Sequence, residues 1–87
     1  MEIYEEISKN FKTIEELFTK EELSEFLNSD KDKLFLYHFG LGIWIRNNLI
    51  YGKEELIKMF NERHVYHVDD MSGFIIREFH SWLKDKI

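Results

Sequence analysis

Two rows of polar residues, each interrupted by a glycine, carry the chemistry this chain can offer. In the first row His38, Gly42 and Arg46 are spaced i, i+4 and i+8, one line along one face of a helix. In the second, Asp70, Gly73, Arg77 and His80 are spaced i, i+3, i+7 and i+10, again one line. Facing each other, the two helices could touch at Gly42 and Gly73, and Arg46 could form a bidentate pair with Asp69 or Asp70. That arrangement would lock helix register, and it is the expected one. The alternative is a hollow at the glycines, with His38, Arg46, Arg77 and His80 holding a phosphate or carboxylate. A protein interface over the same groove is the third use of these residues.

Other chemistries have weaker footing. His64 and His67 stand three apart near Asp69 and Asp70, but in a segment that reads as a loop, and no HExxH-type spacing occurs. The chain has no cysteine, which excludes disulfides, thiolate ligands and a cysteine nucleophile. No metal and no cofactor are expected. Asp69 and Asp70 look like paired carboxylates, yet helix neighbours do not face each other, and N-capping of the last helix is their expected duty. Asn47 and Asn48 fit helix C-terminal chemistry, since Asn tolerates left-handed backbone. No serine lies in a nucleophile elbow, and Gly40-Leu41-Gly42 is not a phosphate-binding loop. A non-enzymatic protein is expected.

Helices must position these residues. Apolar residues recur at helical spacing and there is no proline. Residues 2 to 11 can form a leading helix with Ile3, Ile7 and Phe11 on one side. Thr13/Glu16 and Thr19/Glu22 read as capping boxes that start two short helices. Asn28-Ser29-Asp30 is a break, and Ser29 or Asp30 can cap a central helix from about Lys31 to Asn48. Its apolar face, Leu34, Tyr37, Leu41, Trp44 and Asn48 widened by Phe35, Phe39 and Ile45, is broad enough to predict a buried centre. Gly40 and Gly42 within it each cost about 1 kcal/mol relative to Ala, so something must come close to that backbone. Tyr51-Gly52 closes the segment, and residues 53 to 62 make another helix with Leu56, Ile57, Met59 and Phe60. Residues 63 to 68 alternate and can form a short extended piece. The last helix runs to about Lys84 with Met71, Phe74, Ile75, Phe79, Trp82 and Leu83 as its core face. The expected fold is an all-α, compact single-domain bundle of about five helices over residues 1–87. In it the central and C-terminal helices pack closely at their glycines, with 1–30 a variable N-terminal part and 31–87 the motif-bearing core.

The segment His38-Phe39-Gly40-Leu41-Gly42-Ile43-Trp44-Ile45-Arg46-Asn47-Asn48, followed by His67-Val68-Asp69-Asp70-Met71-Ser72-Gly73, resembles a family of small bacterial domains of unknown function. Its members show a His-Phe-Gly-Leu-Gly-x-Trp-Ile-Arg-Asn-Asn segment and then His-Pro-Asp-Asp-Met/Ala-Ser. Val68 stands where the family usually has Pro, which implies a looser turn before the last helix. The resemblance covers roughly the C-terminal 55 residues and implies one α-helical domain, with no activity attached.

Eighty-seven residues suit one domain, and 44% hydrophobic and 16% aromatic residues supply a core. The N-terminal Met-Glu-Ile-Tyr-Glu-Glu is acidic and lacks an apolar run, so no signal peptide is expected. The longest nearly uncharged run, Leu34 to Ile45, has 12 residues against the roughly 20 a bilayer span needs. A cytoplasmic protein that binds no membrane is expected. A net charge of −5 disfavours nucleic acid and suits a basic protein partner, although acidity also serves solubility. Glu15, Glu16, Glu21, Glu22 and Glu25 could steer such a partner. The expected function is protein–protein interaction in the manner of an immunity protein, antitoxin or anti-defence inhibitor, and a homo-oligomer is compatible with it. The alternative is a small anionic-ligand or nucleotide-binding module using Arg46 and Arg77.

Overall fold

Apolar residues at helical spacing draw nearly every segment of the chain into helix, and the described residues contain no strand. The structure, a computed structural model, describes residues 2–86. Three short helices lead: α1 (Glu2–Ser8), α2 (Phe11–Glu15) and α3 (Lys20–Leu27). A continuous central segment follows. It begins as a tight 3-10 helix (Lys31–Tyr37) and widens into a π-type stretch (His38–Gly42). It then passes through α4 (Ile43–Ile45) and ends in a second π-type stretch (Arg46–Ile50). Helices α5 (Glu54–Glu62) and α6 (Val68–Lys86) complete the fold. No helix among the described residues is long and apolar enough to cross a membrane.

Helix α6 is the spine. Its Met71, Ile75, Ile76, Phe79 and Leu83 are buried, together with Ile3, Ile7, Phe11, Ile14 and Phe26 from α1–α3, Leu34, Ile45 and Ile50 from the central segment, and Leu56 and Phe60 from α5. Phe79 is the hub of an aromatic cluster, with ring centroids 5.5 Å from Phe26, 5.7 Å from Phe11 and 6.0 Å from Trp82. Such pairs add about 0.5–1.5 kcal/mol each beyond their buried area. This is a single core, and it is all-α as expected.

Local signals set some boundaries and mislead at others. The Thr19 capping box is complete: Glu22 N donates to Thr19 Oγ1 at 3.1 Å, and Thr19 N donates to Glu22 Oε1 at 2.8 Å. The Thr13 box starts no helix, because Phe11 and Ile14 are both buried and draw one turn that begins ahead of it. Asp30 enters the central segment from an extended conformation without a side-chain cap, and Ser29 Oγ instead donates back to Glu25 O at 3.1 Å. Gly52, at φ +82°, makes the left-handed turn into α5.

Residues 63–68 form no strand: 63–64 make a turn, 65–67 are irregular and Val68 opens α6. Helix α5 ends in a Schellman motif, in which Val65 N bonds Phe60 O (2.9 Å) and His64 N bonds Asn61 O (3.0 Å). His64 holds the left-handed position at φ 64°, where glycine is the usual residue.

The central segment departs most from expectation. A uniform, buried α-helix was expected, but Phe35, Leu36 and Phe39 are 70%, 65% and 80% exposed. The tight first turns and the wider later ones rotate side chains away from 3.6-residue spacing. Only the side facing α6 is then covered, and a ridge of large apolar residues is left outside. Asn48 lies outside too, its amide donating to Trp44 O at 2.9 Å, and helix continues past it to Ile50. Asn47 and Asn48 therefore do not end the helix.

Candidate functional site

Gly42 is the socket for an arginine. A Cβ there would lie 3.1 Å from Arg46 Nη1, 3.7 Å from the Tyr37 carbonyl and 3.8 Å from Ser72 Oγ. Arg46, one helical turn on, folds its guanidinium back over this space and is buried. Its Nη1 donates to Ser72 Oγ at 3.0 Å, and Ser72 Oγ donates to Asp69 O at 3.0 Å. Asp69 Oδ1 stands 3.5 Å from the same Nη1, while its Oδ2 stands 3.8 Å from His38 Nε2.

Arg46 and Asp69 thus meet in a single ion pair rather than the expected bidentate one, and the guanidinium's hydrogen bond goes to Ser72 Oγ, which relays it to the Asp69 backbone carbonyl. Asp69 and Asp70 do not cap α6: the helix begins at Val68, and Met71 N bonds His67 O at 3.1 Å. Both carboxylates fall in the first turn, where they complement the helix dipole.

Gly42 and Gly73 do not meet. The residue opposite Gly42 is Ser72, and a Cβ at Gly73 would find only Arg77 Nη1, at 3.6 Å. Gly73 and Arg77 instead line an open cleft of about 670 Å³ between α6, the 3-10 helix and the turn after α5. His38, Phe35, Asp32, Asp69, Asp70 and His64 share its walls. Lys31 folds its ammonium onto α6, donating to Arg77 O at 2.9 Å and to Ser81 Oγ. The resulting partial burial pulls the Lys31 pKa below the ordinary lysine value, against the opposing pull of Glu78. The cleft therefore carries acids and bases together.

Of the four residues expected to converge on an anion, the cleft brings together His38 and Arg77. Arg46 is turned beneath it, and His80 is in the core. At about 100° per residue, Arg77 and His80 are about 60° apart around α6, enough to send one to solvent and one inward. The His80 ring packs edge-on to Phe26 at 5.3 Å and donates from Nε2 to Leu27 O at 3.2 Å. Its Nδ1 is buried with no hydrogen bond among the described residues. Burial lowers its pKa, and the charge on Lys31 lowers it further, so the ring is held neutral. No group of three or more metal-ligating side chains occurs among the described residues.

A second concavity is shared by α3, the segment after α2 and the central segment. Leu17, Phe18, Tyr37, Gly40, Leu41 and Trp44 form an apolar groove of about 380 Å³, with Glu22 and Glu25 at its edge. A Cβ at Gly40 would meet nothing within 4 Å. The two glycines of Gly40-Leu41-Gly42 thus serve opposite sides of the segment. Of the five acids expected to steer a partner, Glu15 is paired with Lys86 at 2.8 Å, and Glu22 is engaged in its capping box. Glu16, Glu21 and Glu25 are exposed. Sequence reasoning took the broad apolar arc of the central segment as buried and so missed both ridge and groove. The Gly40-Leu41-Gly42 pair was the available clue.

Comparison with curated proteins and with solved structures finds no match. The family model described as "Domain of unknown function (DUF6794)" matches residues 5–83, reaching well ahead of the two motifs, and the chain belongs to that family.

Proposed function

We propose that this domain acts by binding another protein through the apolar ridge of its central segment. One observation carries the proposal: Phe35, Leu36 and Phe39 stand 70%, 65% and 80% exposed within five residues of the central segment, the most exposed large apolar side chains among the described residues, ahead of Tyr66 at 61% and Tyr51 at 52%. Large apolar side chains exposed close together in the chain mark interaction sites when they form a patch. Fully burying one Phe or Leu side chain gives about 1.5–3 kcal/mol, so three of them suffice to anchor an interface. The net charge of −5 favours encounter with a basic partner. A small acidic scaffold with a preformed apolar ridge suits a neutralising role of the immunity-protein, antitoxin or anti-defence-inhibitor type, performed in the cytoplasm.

The alternative, an anionic ligand or nucleotide held by Arg46 and Arg77, has to rest on Arg77 alone, since Arg46 is committed to Ser72 and Asp69. Binding measurements on ridge variants test the proposal. Phe35→Ser and Phe39→Ser should fold as the wild type does and lose the partner. A partner held equally well by both variants refutes the ridge.

A further inference from the structure

Gly40 has no internal explanation. Its backbone is not left-handed, since Gly52 and His64 are the described residues at positive φ. No neighbour within 4 Å requires the missing side chain. A helical glycine without a packing reason is a standing loss of stability relative to Ala. Gly40 is exposed and lines the groove with Leu17, Tyr37 and Trp44, so its missing side chain leaves that space free. The charges at this groove are all of one sign. Among the described residues Glu22 and Glu25 are the carboxylates that line it, and no Lys, Arg or His does. Among the described residues Glu25 has no ion-pair partner, and Glu22 is fixed in place by its bond from Thr19 N. An apolar floor with uncompensated carboxylates at the edge is complementary to an apolar side chain flanked by cations.

We infer that this groove receives one large apolar side chain from a basic segment of the partner protein, with Glu25 pairing a Lys or Arg beside that anchor. The inference rests on the protein-binding role proposed above and adds the chemistry of the partner. Gly40 then leaves the backbone accessible to the inserted side chain, and Trp44 supplies an aromatic wall. The ridge residue Phe39, next along the chain, would extend the same contact.

Selection of a phage-displayed random peptide library on the folded domain tests this, with the best binders synthesised and titrated by Trp fluorescence. Enriched peptides should carry Leu, Phe or Trp flanked by Lys or Arg. Gly40→Leu places its Cβ where nothing lies within 4 Å and its branches in the groove, so it should melt at or above the wild-type temperature and weaken these peptides about 10- to 100-fold, the worth of one buried apolar side chain. Glu25→Lys should weaken the basic peptides and leave a melting curve unchanged. Enrichment of acidic or uncharged peptides, no enrichment, or undiminished binding by Gly40→Leu overturns the inference. Peptides lost on Phe39→Ser but kept by Gly40→Leu would leave the ridge standing and remove the groove. Peptides indifferent to both would remove both.

Discussion

Replacing each glycine of Gly40-Leu41-Gly42 by alanine in turn should move stability in opposite directions. Taken alone, each change gains about 0.5–1 kcal/mol, because Ala loses less backbone freedom on folding than Gly. At Gly40 nothing lies within 4 Å of the new Cβ, so the gain should be realised in full. At Gly42 the Cβ arrives 3.1 Å from Arg46 Nη1, and the guanidinium must yield by a few tenths of an ångström. That nitrogen is also 3.0 Å from Ser72 Oγ and 3.5 Å from Asp69 Oδ1, so yielding stretches a buried charge-assisted bond worth about 1.5–3 kcal/mol. Losing half of it cancels the propensity gain or exceeds it.

The propensity gain being common to both, the two variants should differ by roughly 0.8–1.5 kcal/mol, half the bond's worth, and in a domain of this size each kcal/mol shifts Tm by about 4–8 °C. Thermal unfolding by circular dichroism, with a urea titration for the free energy, measures this directly. Gly42→Leu should be worse still, since overpacking alone costs about 1–3 kcal/mol. Equal stabilisation by Gly40→Ala and Gly42→Ala would refute the account of Gly42 as the socket for Arg46.

Acid should weaken the fold through His80. Its folded pKa lies below its unfolded one, so the unfolded chain binds more protons as pH falls below about 6.5, and stability declines through that range. His80→Phe should flatten this part of the stability–pH curve, and an unchanged slope would contradict a buried neutral ring. His64→Gly should stabilise by about 0.5–1 kcal/mol, because it relieves a left-handed conformation at the Schellman position; a loss in urea denaturation would argue against that geometry. Ser72→Ala should cost about 1–3 kcal/mol by leaving Arg46 buried short of its acceptor, and a neutral result would mean the relay carries no stability. Inorganic phosphate should leave Tm unchanged; a rise in wild type that vanishes in Arg77→Ala would instead establish anion binding in the cleft.

Much of the fold was legible because short-range rules and burial agreed. The break at Asn28-Ser29-Asp30, the Thr19 capping box and the turn at Gly52 lie where periodicity and capping chemistry put them. On α6 Met71, Ile75, Phe79 and Leu83 are buried as expected, while Phe74 and Trp82 are only partly covered and Ile76 joins the core instead. Legibility failed where tertiary packing overrode local signals. Thr13 carries as good a capping pattern as Thr19, but Phe11 and Ile14 had already committed their turn to the core. The arc Leu34 to Ile45 assumes 3.6 residues per turn, and the segment uses tighter and wider turns, so Phe35 and Phe39 emerged on the outside. In the site, Arg46 and Asp69 were rightly placed as neighbours. The hydrogen bond from Arg46 to Ser72 and the inward rotation of His80 depend on sub-turn differences in angle that residue spacing alone does not resolve.

The most direct test of the central claim is native mass spectrometry of the tagged domain recovered gently from its own cells, wild type beside Phe39→Ser. The wild type should carry a stoichiometric protein companion, and Phe39→Ser, folded to the same Tm, should come without it. A bare chain in both samples, or the same companion on both, would contradict a protein-binding ridge.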